Sequence, residues 1–332
     1  MIKKIQFDRF GQASEVLECV EAPSPPSPGR EEVAIDMIYM PLNPSDLMVT
    51  AGIYGGAPPP LPYAMGREGV GRIVEIGPGI SEFNIGDLVI AITAPTWQSV
   101  IVRNIKTLIL LPEDIDLQQA AMLRSCPATA ALMLRNFVSL KPDDWVIQNV
   151  ANSAVGTCFA QLASSRGIRT LNIVRRIEAG AHLAKIPGAI VIEHVGGPSD
   201  ELTEKVSEAT NGALVKLGID AIAGPATDAI SQCLADGATL VNYGVLSKEP
   251  CQIYGGHLHF RGITLRGFWV SKWLELAEPA EIQVLYKELA KQVVDKTLKV
   301  EVAGQYSFDQ IGTAAAHAAR EARGGKILIC PD

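Results

Sequence analysis

Two features of this chain have the residue types and spacing for holding phosphates: a small-residue turn at 152–156 and an arginine pair, Arg175 and Arg176, about 20 residues beyond it. Asn152 and Ser153 can cap a following helix, whose free N–H groups and dipole suit a pyrophosphate. Small Ala154 and Gly156 let phosphate and strand come close to that helix. The elements that must position these residues are legible around them. Trp145 to Val150 is a short, mostly apolar, β-branched run, as a strand covered on both faces should be. An amphipathic helix follows, then a second strand from Leu171 to Val174. That order is a dinucleotide-binding βαβ unit. After the second strand an NAD site usually has an acidic residue for the ribose hydroxyls. Arginines suit the 2′-phosphate of NADP instead, so NADPH is the expected cofactor. The blander alternative is a solvated arginine pair on a loop, and the turn lacks a full GxGxxG.

Bulk properties set the class. The 332 residues suggest two domains with ample core, and 48% hydrophobic with 20% charged residues is ordinary for a globular protein. A net charge of −7 argues against a nucleic-acid or anionic-membrane surface. No apolar stretch is long enough to span a bilayer. The first residues, MIKKIQFDRFG, read as a strand with no signal or transit pattern, which makes a cytoplasmic location the expectation. Six cysteines without a CxxC pair read as reduced thiols.

Three stretches follow one another. Residues 1 to about 120 hold short β-like runs between Gly- and Pro-rich turns, among them Val33 to Met40, Gly69 to Ile76 and Asp87 to Thr93. From about 121 to 270 helices and strands alternate, with later strands at Val215 to Ala223, Ala238 to Tyr243 and Ile263 to Gly267. A helix-rich stretch closes the chain, with short strands near Val300 and at Lys326 to Cys330.

The segments NPSDLMVTAGIYG, GREGVGRIVEIGPG, QNVANSAVG, TLNIVRR, GATLVNYGVLS and LRGFWVSKW resemble the zinc-free branch of the medium-chain dehydrogenase/reductase superfamily, and within it the mitochondrial-type trans-2-enoyl thioester reductases. The quinone reductase group shares less of them. The resemblance implies an α/β fold: a GroES-like β-barrel catalytic domain of residues 1–120 and 296–332, and a doubly wound Rossmann NADP-binding domain of residues 121–295, with the active site in the cleft. It also implies a homodimer formed by pairing sheet edges, here between Leu258 and Phe268.

Zinc-dependent relatives carry a Cys before the Ser-Asp pair and a His in a Gly-His-Glu triplet. This chain has Asn43 and Arg67 there, so no metal is expected. His257 and His259 alternate along an expected strand and read as surface or interface residues rather than chelators. Without a metal, an enolate formed by hydride addition needs hydrogen-bond donors and a proton. Tyr54, in the loop AGIYGG, matches the catalytic tyrosine of the enoyl reductases. It would donate the proton or orient the carbonyl. An exposed turn tyrosine is the alternative.

The resemblance assigns further residues one by one. Asn152, Ser153, Ala154 and Val155 match the turn under the pyrophosphate, and Arg175 and Arg176 the 2′-phosphate binders. Tyr243, Gly244, Val245 and Leu246 lie where the nicotinamide end is expected. Phe268 and Trp269 match a pair lining the nicotinamide and acyl pocket, with core or interface packing as the alternative. Thr129 matches a threonine facing the cofactor, and Lys326 a cofactor-contacting lysine. Three positions depart from the pattern: Cys126 stands for an Asn, Ala154 for a glycine, and Arg67 for a small or amide side chain. Arg67 would stabilise an enolate, bind an anionic group, or pair with Glu68 or Glu75.

The expected reaction is NADPH-dependent reduction of a trans-2-enoyl thioester, with hydride to the β-carbon and protonation at the α-carbon. The alternatives are reduction of a quinone or an α,β-unsaturated ketone, and a non-catalytic NADPH-binding sensor or crystallin-like protein. The thioester carrier is coenzyme A or acyl carrier protein. The acidic carrier would need a basic patch, for which Lys141, Arg169 and Lys272 are candidates.

Overall fold

The computed structural model describes residues 1–196 and 199–331. Two units divide the chain, Met1–Ser125 with Ala277–Asp332, and Cys126–Leu276.

In the discontinuous unit, the strand Glu32–Leu42 is the organising element. Its register shifts twice, between Ala34 and Ile35 and between Met37 and Tyr39. Such bulges bend a strand, and this one pairs with Gly69–Ile76 and Val100–Asn104 along one part and with Lys326–Cys330 at its end. Among the described residues the sheet order is Val302–Ser307, Lys326–Cys330, Glu32–Leu42, Gly69–Ile76, Leu88–Ala91, Leu108–Leu110. Val33, Ile35 and Met40 of the long strand face a core shared with Ile5, Phe7 and Trp97. The helix Pro279–Val294 belongs to this unit, not to the nucleotide-binding one as the expected boundary at 296 had it. Tyr286 and Leu285 are buried on its inner face, Gln283 Nε2 donates to the Leu108 carbonyl at 2.9 Å, and Tyr286 Oη donates to the Arg124 carbonyl at 3.1 Å.

The continuous unit is a six-stranded parallel sheet. Its order is Ala189–Glu193, Arg169–Val174, Trp145–Gln148, Val215–Asp220, Thr239–Asn242, Thr264–Gly267. The chain thus lays strands outward from Trp145–Gln148 to one edge, then crosses back and continues to the other. This is the doubly wound order, and its switch point lies between Trp145–Gln148 and Val215–Asp220. Parallel strands buried on both faces explain the near-continuous apolar runs of the sequence. The polar exceptions are satisfied: Gln148 Nε2 donates to the Gly156 carbonyl at 2.9 Å and to Asn172 Oδ1 at 2.8 Å.

One stretch folds differently from expectation. Gly255–His259 is a short helix rather than part of a strand. Asp228 Oδ1 accepts the Tyr254 N–H at 2.6 Å just before it, and Gly262 turns the chain at φ 63° just after it. His257 and His259 therefore do not alternate along a strand. His257 Nε2 lies 3.6 Å from Asp228, and its Nδ1 lies 3.3 Å from Arg261 Nη1. No helix among the described residues is long and apolar enough to cross a membrane.

Candidate active site

The end of the strand Trp145–Gln148 leads into a turn built for close approach. Val150 holds left-handed backbone at φ 50°, and Ala223, after the neighbouring strand, does so at φ 64°. Non-glycine residues in that region cost about 1–3 kcal/mol each and persist where the surroundings fix them. Ser153 is the N-cap of the helix Ala154–Ser164, and its Oγ accepts the Gly156 N–H at 3.1 Å. A Cβ on Gly156 would lie 2.5 Å from the Ala151 carbonyl oxygen, so only glycine lets helix and turn meet. The amides of Ala154 and Val155 open the helix and have no intrahelical carbonyl to donate to. Asn152 is exposed beside them. A cradle of this shape, at a helix N-terminus and a switch point, fits a dinucleotide pyrophosphate.

A buried carboxylate braces the loops around it. Asp220, fully buried, accepts on one oxygen from Asn149 Nδ2 at 2.7 Å, Ile222 N at 2.8 Å and Ala223 N at 3.2 Å. Its other oxygen accepts from Thr227 Oγ1 at 2.8 Å and Asn242 Nδ2 at 3.1 Å. This one group ties together the ends of three strands. The Tyr243 N–H donates to the Asp220 carbonyl at 2.9 Å, which carries the loop 243–246 onto the same edge. There burial pushes the Tyr243 phenol far above its ordinary value of 10, against the influence of Ser153 beside it, so it stays neutral. Gly244 follows, and Val245 and Leu246 are exposed.

Other expected residues of this unit are spread around that edge. Thr129 is buried on the helix Cys126–Asn136, whose first residue, Cys126, is close enough to raise the Tyr243 phenol further. Phe268 donates its N–H to the Asn242 carbonyl at 2.9 Å and packs edge-on against Phe137, with ring centroids 6.0 Å apart. Trp269 beside it is exposed. Arg175 and Arg176 are exposed at the end of the strand Arg169–Val174. Next to them Glu193 Oε2 accepts the Ile177 N–H at 2.7 Å, and His182 Nε2 lies 3.1 Å from Thr157 Oγ1. Asp220, Asn149, Asn242 and Glu193 were not singled out from sequence. A carboxylate closing the β-branched strand run VKLGID was the available signal for Asp220.

In the discontinuous unit, the helix Pro44–Thr50 ends in a turn and the glycine-flanked loop that bears Tyr54. Tyr54 is half-buried, and the Arg67 guanidinium carbon lies 4.5 Å from its ring centroid. That distance is within cation–π range. Gly66 makes the placement of Arg67 possible: its φ is 96°, and a Cβ there would fall 2.5 Å from the Trp97 backbone nitrogen. Among the described residues Arg67 forms no ion pair with Glu68 or Glu75.

Beneath the pair lies a buried polar cluster. Asn43, Asp46, Glu68 and Lys326 are all buried. Lys326 Nζ donates to Asn43 Oδ1, and Asn43 Nδ2 donates to Glu68 Oε1 at 2.7 Å. Glu68 Oε2 accepts the Ser125 N–H at 2.9 Å, and Asp46 Oδ2 accepts the Asn43 N–H at 2.7 Å. Burial raises Asp46 from 3.8 to about 6, against the pull of the Asn43 N–H and Arg67; burial also raises Glu68, against Lys326 and Arg124. Lys326, expected from the resemblance to contact the cofactor, is held by Asn43 within its own unit.

A zinc ion does not fit this donor set. An amide and a guanidinium stand where two ligands are expected, and the Asn43 oxygen already accepts from an ammonium. No group of three or more His, Cys, Asp or Glu among the described residues is arranged to hold a metal ion. Of the three basic residues considered for carrier docking, Arg169 pairs with Asp143 at 2.8 Å and Lys272 with Glu275 at 3.3 Å, and Lys141 is exposed.

Residues 29–103 match the family described as alcohol dehydrogenase GroES-like domain, and residues 154–290 the family described as zinc-binding dehydrogenase. The mitochondrial enoyl-[acyl-carrier-protein] reductase of Dictyostelium discoideum is 32% identical over 308 residues, covering 90% of this chain and 86% of that one. A solved structure described as a putative NADPH:quinone reductase from Bacillus thuringiensis superposes with a TM-score of 0.91 at 27% identity, over 100% of this chain and 99% of that one. The structure of an Etr1p/NADP/crotonyl-CoA complex has the same fold, with a TM-score of 0.88 at 23% identity and 99% of each chain covered. The cytoplasmic expectation is overturned: the relatives from Dictyostelium, Arabidopsis thaliana and Homo sapiens are all named as mitochondrial enzymes. Low charge and a strand-like opening segment do not report on compartment.

Proposed function

Since the chain belongs to the medium-chain dehydrogenase/reductase superfamily of oxidoreductases, with mitochondrial enoyl-[acyl-carrier-protein] reductases among its relatives, we propose that it reduces the carbon–carbon double bond of a trans-2-enoyl thioester with NADPH and without zinc. The observation that carries this reading is the stack of Arg67 on Tyr54.

NADPH, when bound, supplies the hydride that goes to the β-carbon. The chain's own residues do the rest. The Ser153-capped turn and the Ala154 and Val155 amides take the pyrophosphate, and Arg175 and Arg176 take the 2′-phosphate. Asp220 fixes the loops that carry Asn149 and Tyr243, so the binding edge is ordered before the ligand arrives. As the β-carbon is reduced, negative charge gathers on the thioester oxygen and the α-carbon. Tyr54 donates a hydrogen bond or a proton to that enolate, and the Arg67 guanidinium adds positive potential beside it. This is the work a Lewis acid does in zinc-dependent relatives. The exposed edge strand Thr264–Gly267 and the exposed Phe260 support a homodimer.

A second reading, quinone reduction, is favoured by the likeness to the Bacillus thuringiensis protein. One experiment separates them: NADPH oxidation with a short trans-2-enoyl-CoA and with a small quinone, by wild type and Tyr54→Phe. The expected result is thioester turnover that drops about 10²-fold or more in Tyr54→Phe, as loss of a general acid does. Quinone turnover that survives the substitution, with none on the thioester, would replace this reading with the second.

A further inference from the structure

The parallel strands Arg169–Val174 and Ala189–Glu193 keep register to a last pair, Val174 opposite Glu193. The His194 N–H still donates to the Val174 carbonyl at 2.9 Å. Arg175 and Arg176 follow directly beyond that pair, and the chain then winds into the short 3-10 turn Ile177–Gly180. Glu193 therefore ends its own strand beside the root of the arginine pair.

One peptide group joins Arg176 to Ile177, and it is held from both sides. Its carbonyl accepts the Ala179 N–H at 3.1 Å, within the turn. Its N–H donates to Glu193 Oε2 at 2.7 Å, the length of a charge-assisted bond. A peptide group is planar, so the two bonds fix its plane and with it the backbone angle that aims Arg176. The bond inside the turn would do this poorly alone, because 3-10 hydrogen-bond geometry is weak. Glu193 acts from a braced position: Lys205 Nζ donates to the Glu193 carbonyl at 3.1 Å and to Glu201 Oε1 at 2.5 Å. The far end of the loop is tied separately. Leu183 is fully buried in one cluster with Val174. His182 Nε2 lies 3.1 Å from Thr157 Oγ1, on the helix that opens at the Ser153-capped turn.

An acidic residue that selects NAD stands at the end of the second strand itself and accepts from ribose hydroxyls. Here the acid stands one strand over, and its oxygen accepts from a backbone N–H of the loop instead.

We propose that Glu193 is a positioning residue for cofactor choice: its carboxylate caps the Ile177 N–H and so holds the arginine pair ready for the 2′-phosphate of NADPH. A loop ordered in advance loses less freedom on binding, and the gain goes to the ligand that uses the arginines. The proposal rests on the assignment of the 2′-phosphate to Arg175 and Arg176.

The test compares Glu193→Ala, Glu193→Gln and the double variant Arg175→Ala with Arg176→Ala. The readouts are NADPH and NADH Kd by fluorescence titration and amide hydrogen exchange of the segment 175–181 in the cofactor-free protein. Glu193 is exposed, so neither substitution disturbs the core. Glu193→Ala should weaken NADPH about fivefold or more, leave NADH within about twofold, and speed exchange of the segment about fivefold or more. Glu193→Gln keeps an acceptor oxygen without the charge and should restore most of both effects. If the arginine double variant binds NADPH as wild type does, the 2′-phosphate assignment fails and takes this proposal with it. If that variant loses NADPH affinity and Glu193→Ala does not, the assignment stands and this proposal is overturned. Equal weakening of NADPH and NADH in Glu193→Ala would also overturn it, because a direct contact to the shared adenosine does that. So would a Glu193→Gln variant no better than Glu193→Ala, or NADPH binding that tightens in both, the mark of a carboxylate that only repels phosphate.

Discussion

Asp46→Asn should make this protein more stable at neutral pH. The Asp46 carboxyl is 3% exposed, and burial raises it from 3.8 to about 6. The folded state therefore holds the Asp46 proton more tightly than the unfolded chain. The group's contribution is most favourable below its unfolded value of 3.8 and is lost as pH rises through about 6. At about 1.4 kcal/mol for each tenfold change in proton affinity, ionised Asp46 costs the fold about 3 kcal/mol at pH 7.5 and about 1 kcal/mol at pH 4.5. Asparagine removes the charge and keeps an oxygen for the Asn43 N–H, now 2.7 Å from Asp46 Oδ2. The pull of that bond and of Arg67 on the charged form is already contained in the rise to about 6. The net gain at pH 7.5 is then about 3 kcal/mol, a rise in thermal midpoint of about 6–12 °C, shrinking to about 1 kcal/mol at pH 4.5. Thermal unfolding of both proteins at the two pH values measures it. A variant that melts below wild type by the same margin at both would show that Asp46 is held as a stabilising anion, and the reasoning would be wrong.

Three further outcomes follow from the nucleotide-binding unit. Gly156→Ala should lose about 1–3 kcal/mol of stability and bind NADPH at least tenfold more weakly, because its Cβ would stand 2.5 Å from the Ala151 carbonyl oxygen; unchanged melting and binding would contradict the close approach. Asp220→Ala should cost about 3 kcal/mol or more in urea unfolding, since Asn149, Thr227, Asn242 and two backbone N–H groups lose their acceptor together. A cost near zero would mean that water replaces it. Replacing both Arg175 and Arg176 by Ala should weaken NADPH binding about tenfold or more and leave NADH binding unchanged, and an equal loss for both cofactors would remove the 2′-phosphate assignment.

What could be read from the residues was local. The strand at Trp145, the capped turn, the second strand and the arginine pair all fall within 32 consecutive residues, and each has a pattern set by its own neighbours. The strands at Gly69–Ile76 and Lys326–Cys330 were likewise plain from composition and period. The misses are long-range. Nothing near Lys326 announces that its partner is Asn43, 283 positions earlier, because a sheet register makes that pair. The helix Pro279–Val294 has an ordinary amphipathic pattern, and only the buried Tyr286 reaching the Arg124 carbonyl assigns it to the first unit. His257 and His259 fit a strand period locally, but Asp228 and the Gly262 turn closed a helical turn around them.

The place of the strand Lys326–Cys330 has a consequence for how the chain matures during synthesis. This strand lies inside its sheet, parallel to Val302–Ser307 and antiparallel to the end of Glu32–Leu42. The unit Cys126–Leu276 is continuous and can form as soon as it leaves the ribosome, since domains generally fold as units during translation. The other unit cannot. Its first 125 residues emerge early, but Met40 and Leu42 wait with an open strand edge until residues 326–330 arrive. An open apolar edge is a template for wrong pairing, and closing so distant a contact is slow. The nascent chain is therefore most exposed to aggregation and most dependent on chaperones over the interval when its nucleotide-binding half is already complete.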